Sequence, residues 1–276
     1  MRISVVIPSF NRAHSLPRAL DSVRQQASPA DEIIVVDDGS TDGSAELVQR
    51  LYPEVLLLQQ PNRGVSAARN RGIRQACGDW IALLDSDDEW LPDKLARIRQ
   101  VHAQHPAEQL FHTDEIWIRN GTRVNPMHKH RKHGGMIFRH CLPLCVISPS
   151  AAVIRRSLFD TIGLFDESLP ACEDYDLWLR LCHRHPVVFI DEPLIVKYGG
   201  HADQLSRRYW GMDRFRIDSL QRLLDSPHLD ETQREQTVDM LTRKLRILLK
   251  GARKHANEDI LHRYQPLLDD LEVRPC

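Results

Sequence analysis

A chain of 276 residues can bury a sizeable core without disulfides or a structural metal. Its 37 basic and 38 acidic side chains leave a formal charge of −1, which argues against nucleic acid as a partner, since such proteins usually carry a basic excess. Six cysteines lie scattered without a CxxC pair and read as reduced thiols of a cytoplasmic protein.

The N-terminal apolar run is too short for the core of a signal peptide, and no stretch approaches the roughly 20 apolar residues that span a bilayer. The expectation is a soluble chain, at most held at the inner face of a membrane. In chain order, Ile3 to Ile7 is a β-branched run stopped by Pro8 and predicts a buried strand. Ser15 to Gln26 places Leu16, Ala19, Leu20 and Val23 at helical spacing. Glu32 to Val36 predicts a second strand, and Thr41 or Asp42 caps the helix that follows. Val55 to Leu58 is a third strand, Ser66 to Cys77 a helix, and Trp80 to Leu84 a fourth strand. Alternation of this kind predicts a mostly parallel sheet with helices on both faces. Beyond it come a helix over Leu91 to His105, an extended segment over Gln109 to Arg119, and a strand over Ala151 to Ile154. A helix over Asp174 to His183 follows, then two closing strands, Val187 to Ile190 and Leu194 to Tyr198, and helices from about Asp203.

Ligands of parallel sheets bind at the carboxyl ends of the strands. The loops expected there are Pro8-Ser9-Phe10-Asn11, Asp37-Asp38-Gly39-Ser40 and Asp85-Ser86-Asp87-Asp88. Three carboxylates in four residues repel one another unless a cation or donor hydrogens lie close. Such a cluster suits a divalent ion that leaves positions for phosphate oxygens. The other reading is a solvated acidic turn, which the buried strand before it makes less apt. Asp37 and Asp38 suit either a nucleoside contact or a turn that caps the next helix. Asn62-Arg63-Gly64 feeds a helix N-terminus, a natural anion site, with Arg69 one turn in.

Together these blocks resemble the family 2 glycosyltransferases. The resemblance rests on Val5 to Arg12, Ile34 to Asp42, Asn62 to Asn70 and Leu83 to Asp88, and covers about residues 1–200. It implies the GT-A fold, a Rossmann-like sheet flanked by helices, here with a helical C-terminal extension. The domain division expected is a glycosyltransferase domain over 1–202, its nucleotide-sugar half ending near 100, and an extension over 203–276. It implies a metal-dependent, inverting transfer from a nucleotide-sugar donor, with UDP the commonest carrier in the family. Pro8, Ser9, Asn11, Asp37 and Asp38 would line the nucleotide pocket, with Arg69 close by. Asp85 and Asp87 match the DxD motif, Asp85 near the ribose with Ser86 beside it and Asp87 on Mg²⁺ or Mn²⁺. Asp88 is a further ligand or a supporting carboxylate, and sequence alone does not rank the three. His201 is a candidate to complete the metal shell or a solvent-facing loop histidine. Gly163 to Glu167 and Cys172 to Trp178 resemble the acceptor-side ED motif, which makes Asp174 the general base.

His128, His130, His133, His140, Cys141 and Cys145 fit no four-ligand zinc spacing. The pair Gly134-Gly135 instead suggests a mobile loop over the acceptor cleft, its basic residues meeting an anionic acceptor. His112 reads as structural. A nucleotidyltransferase would need a glycine-rich loop with a lysine after the first strand, and Ser9-Phe10-Asn11-Arg12 has neither. A non-catalytic nucleotide-sugar-binding relative would tolerate loss of Asp174 or the acidic cluster, and both are present. Thr242 to His255 sets basic residues among leucines, a pattern for a helix packed on the domain or an interfacial one. The acceptor is expected to be a saccharide or a lipid-linked sugar, with surface polysaccharide assembly the common setting of the family. A homo-oligomer and a peripheral membrane contact are both left open.

Overall fold

A computed structural model describes residues 1–125, 127–200 and 209–273. Four parallel strands lead the fold: β1 (Ile3–Ser9), β2 (Glu32–Asp37), β3 (Leu56–Gln59) and β4 (Trp80–Leu83). Between them run α1 (Leu16–Arg24), α2 (Ser44–Leu51) and α3 (Val65–Gln75). The β1 and β2 runs are apolar at consecutive positions because both faces are covered, as in any doubly flanked parallel sheet. Val6, Ile34, Val36, Ile81 and Leu83 point into one core, and Ile3, Val5, Ile7, Val35 and Ala82 into the other. The second core is closed by α1, α2 and α4 (Lys94–Gln104). Gly72 lets α3 lie directly on β1, since a Cβ there would collide with a Val6 methyl.

Past β4 the sheet turns mixed. Its order is β3-β2-β1-β4-β8-β6-β9-β5, with β7 paired to β6 at the side. Here β5 is Glu89–Trp90, β6 Leu110–Arg119, β7 Thr122–Val124, β8 Val153–Arg155 and β9 Val188–Gly199. Strand β8 runs antiparallel to both β4 and β6, while β6 and β9 are parallel. The two closing strands expected from the sequence are one strand. Pro193 falls at register shifts opposite Thr113, Asp114 and Glu115, so the break legible in the sequence is a bulge that the ladder spans. The helix expected from Leu91 starts later, at Lys94. Trp90 pairs with Ile195 and the Leu91 amide donates to the Leu194 carbonyl, which holds these residues extended.

Short helices α5 (Phe138–Cys141) and α6 (Leu158–Ile162) precede α7 (Glu173–Cys182). Three longer ones follow: α8 (Asp213–Leu224), α9 (Glu231–Lys254) and α10 (Glu258–Val273). Their buried Leu220, Leu245, Leu249 and Leu268 belong to the same apolar cluster as Ile81 and Trp178. The C-terminal helices therefore complete the core on one face of the sheet. Within α9, Asp230 and Gln233 form a reciprocal capping box, which explains the sharp start of this helix. Its apolar face is occupied by the domain, and Lys244 is drawn inward to the Pro143 carbonyl and Asp213. Among the described residues no helix is long and apolar enough to cross a membrane.

The glycine pair expected to serve a mobile loop is anchored. Gly135 exchanges both backbone hydrogen bonds with Val187, at 2.8 and 3.0 Å. A Cβ on Gly134 would press on Phe189 at 3.2 Å, so these glycines serve close approach to β9.

Candidate active site

The carboxyl ends of β1, β2 and β4 carry the three loops that the sequence placed in one crevice. In the first, Asn11 adopts a left-handed conformation at φ 52°. The Asn11 amide donates to Ser40 Oγ at 2.8 Å and its Oδ1 accepts from the Thr41 amide at 2.8 Å. This double tie locks the β1 loop onto the β2 loop. Pro8 and Ser9 stand beside Val36 and Asp37 in register. Ser9 Oγ and Asp37 Oδ1 are buried with no hydrogen-bond partner among the described residues.

Asp38 is almost fully engaged. Its Oδ1 accepts from Gln60 Nε2 and the Arg63 amide, and its Oδ2 from the Gly64 amide, all at 2.7–2.9 Å. The carboxylate thus clamps the Asn62-Arg63-Gly64 turn, where Gly64 sits at φ 89°. Three donors thus use most of its acceptor capacity.

Arg69 occupies a position the sequence did not reveal. It is buried, and its guanidinium bridges Asp85 at 2.7 Å and Glu173 at 2.6 Å. Burial by itself would lower the guanidinium, but the two carboxylates outweigh it and hold Arg69 above its ordinary value. Glu173 is pushed upward by its own burial, an effect that Arg69 opposes. The bridge joins the acidic loop after β4 to the first turn of α7. Asp174, the next residue, is partly exposed. Its Oδ1 accepts from the Tyr175 amide at 2.7 Å and its Oδ2 from the Cys145 thiol at 3.0 Å. Burial and the Asp174 charge push that thiol well above its ordinary value, so Cys145 remains a donor. Cys145 has no sequence signal of its own, because the contact spans 29 positions.

The carboxylates of the acidic loop diverge. The Asp85 and Asp87 side chains are each about a quarter exposed, at 25% and 26%. Arg12 lies 4.0 Å from Asp87, and Arg18 donates to the Asp87 carbonyl. Ser86 is buried in the turn. Asp88 is turned inward, accepting from Ser150 Oγ at 2.6 Å and the Tyr198 amide at 3.2 Å. Burial, reinforced by Asp87 and Asp85 and opposed by Lys197, pushes it up to about 8. His201 lies outside the described residues. Among the described residues no group of three His, Cys, Asp or Glu side chains is arranged to hold a metal. His112 is fully buried, bonded to the His133 carbonyl at 2.8 Å, and burial drives it down to about 3.

Residues 4–163 match the model of the Glycosyl transferase family 2, and residues 135–222 that of Glycosyltransferase like family 2. An uncharacterized glycosyltransferase of Haemophilus influenzae is 29% identical over 180 residues, covering 65% of this chain and 61% of that protein. The uncharacterized glycosyltransferase YwdF of Bacillus subtilis is 33% identical over 187 residues, covering 65% of this chain and 68% of its own. Against a Rickettsia felis relative the chain spans 35% of the length. Among solved structures, S. aureus TarS 1–349 in complex with UDP-GlcNAc superposes with a TM-score of 0.73 at 20% identity, over 89% of this chain and 72% of that one. The mannosyltransferase PcManGT from Pyrobaculum calidifontis, in complex with GDP-Man and Mn²⁺, gives 0.61 at 17% identity, over 98% and 84%. The sheet and its flanking helices are thus the GT-A fold.

Proposed function

The chain belongs to the family 2 glycosyltransferases, and from that premise we propose that it transfers a sugar from a nucleoside diphosphate donor to an acceptor hydroxyl with inversion. The Arg69 bridge carries this reading: it ties the donor-side Asp85 to Glu173 and so sets the adjacent Asp174 at a constant offset from the acidic loop. In the step proposed, the acceptor oxygen bonds to the anomeric carbon as the bond to the diphosphate oxygen breaks. The acceptor proton passes to Asp174 and the nucleoside diphosphate leaves with the bonding pair. One base and one displacement suffice for inversion.

On the donor side, Ser9 and Asp37 offer unpaired polar atoms to the nucleoside, with Pro8, Asn11 and Asp38 shaping the wall. UDP is the carrier favoured, with TarS in complex with UDP-GlcNAc in support. The partly exposed carboxylates of Asp85 and Asp87 are hard oxygen donors that suit Mn²⁺ or Mg²⁺. Asp87 would hold the ion, with Asp88 steadying the loop from within and His201 a further candidate. When bound, such an ion supplies Lewis-acid neutralisation of the diphosphate. Residues 1–202 would form the transferase unit, with the later helices as its structural support. The acceptor would be a saccharide or lipid-linked sugar at the inner face of a membrane, in surface polysaccharide assembly.

Calorimetry with UDP, with and without Mn²⁺, tests the donor assignment. Binding is expected to strengthen with the ion in the wild type and to lose that response in Asp87→Ala. Binding that ignores Mn²⁺ would remove the metal from the proposal, and no UDP binding at all would overturn the donor assignment.

A further inference from the structure

From Ile116 to Phe159 the sequence has no Asp or Glu but eight Lys and Arg, in a chain whose charges nearly balance overall. The structure sorts these cations. Lys132 is turned inward, paired with Glu115 at 3.0 Å and donating to the Val146 carbonyl at 2.9 Å. Lys129, Arg131 and Arg139 are exposed, and among the described residues none of them makes an ion pair. They converge with His128, His133 and His140 on a cavity of about 380 Å³, which no acidic side chain lines. The His133 and His140 rings stack there at 3.7 Å and 13°. Burial, and after it His140 and Arg131, lower His133 below its ordinary value. A loop that merely solvated its charges would spread them apart.

The remaining wall is Pro143, Leu144 and Val146. Between the last two sits Cys145, whose thiol reaches Asp174. The segment that walls the cavity thus also carries a contact to Asp174. We propose that this cavity is an anion subsite, in which Lys129, Arg131, Arg139 and the paired histidines hold a phosphate group of the acceptor, remote from the hydroxyl that meets Asp174. The acceptor class is thus a phosphorylated saccharide or polyol. Guanidinium forks suit phosphate oxygens, and the volume accommodates a sugar phosphate. This inference rests on the glycosyltransferase reading, since it takes Asp174 as the base.

The test follows the histidine side-chain NMR signals during titration with glycerol 1-phosphate and, separately, inorganic phosphate. UDP affinity is measured on the same samples. The signals of His133 and His140 are expected to move in the wild type. The double variant Arg131→Gln/Arg139→Gln should weaken that binding by about tenfold or more while UDP affinity holds. Arg123→Gln, a charge change outside the cavity, should leave it intact. Signals that stay still, phosphate that competes with UDP, or equal weakening by Arg123→Gln would each overturn the subsite. A wild type that binds no UDP would instead overturn the donor assignment, while the histidine signals still decide the subsite. Vesicles containing phosphatidylglycerol form a last arm: binding to them that needs Arg131 and Arg139, without any response to glycerol 1-phosphate, would overturn the acceptor assignment in favour of a lipid headgroup.

Discussion

The two sides of this cleft are built on opposite terms. On the proposed donor side many polar groups are held by another part of the chain: Asn11 by the β2 loop, Asp38 by turn amides, Arg69 between two carboxylates, Asp88 by Ser150 and Tyr198. On the proposed acceptor side, Lys129, Arg131 and Arg139 face a cavity with no carboxylate in its wall. A site that must present one constant geometry is cross-braced, which makes its residues matter to folding as well as to chemistry. A surface that selects among acceptors keeps its charges available, and its residues should matter to binding alone.

Four tests probe that contrast. The largest effect is expected from Asp174→Asn, which should lower transfer by about 10²–10⁴-fold with UDP affinity and urea stability near wild type. Turnover retained in a donor-saturated assay would remove Asp174 as base. Next comes Arg69→Met, which strands Glu173 and Asp85 and should cost about 3 kcal/mol or more in urea unfolding. Adding Glu173→Gln should recover part of the loss, because the buried charge goes with it. A stable Arg69→Met protein would break the cross-bracing argument.

Lys94 gives a pH signature of the braced core. It is fully buried, donates to the Ala151 carbonyl at 3.0 Å, and burial lowers it to about 7. Between about 7 and its ordinary value of 10.5 the unfolded chain binds one proton more than the folded chain. Stability from Lys94 should therefore rise with pH across that window, by at most about 1.4 kcal/mol per unit. Lys94→Met should flatten the rise, and parallel wild-type and variant curves would count against it. The smallest effect is expected at Cys145, a positioning residue for Asp174. Cys145→Ala should lower kcat a few-fold with the donor KM unchanged, and Cys145→Ser, which keeps a donor, should restore it. Equal losses in both variants would assign Cys145 to packing alone.

Much of the donor half was legible because its signals are local. A strand of consecutive apolar residues, a glycine turn and an acidic loop each lie within a few positions, and the alternation of strand and helix implies where they meet. Distant partners were not legible. Nothing near Arg69 indicates that its guanidinium ends on Glu173, 104 positions away. The same limit explains why Gly134-Gly135 resembled a hinge, since their contact with Val187 and Phe189 joins distant segments. Pro193 misled for a related reason: a proline breaks a local pattern, but the β6 ladder carries the strand through a bulge.

By itself, then, the sequence determined the parallel sheet, the loops at its carboxyl ends and the residue types that chemistry requires there. These follow from burial periodicity and turn chemistry, which act over a few residues. Only the tertiary structure decided which carboxylate turns inward, what Arg69 joins, and that the cations around residue 130 line a cavity walled by Leu144 and Val146. Those outcomes depend on which segments the sheet order brings side by side, where a buried charge must find its partner or stay costly.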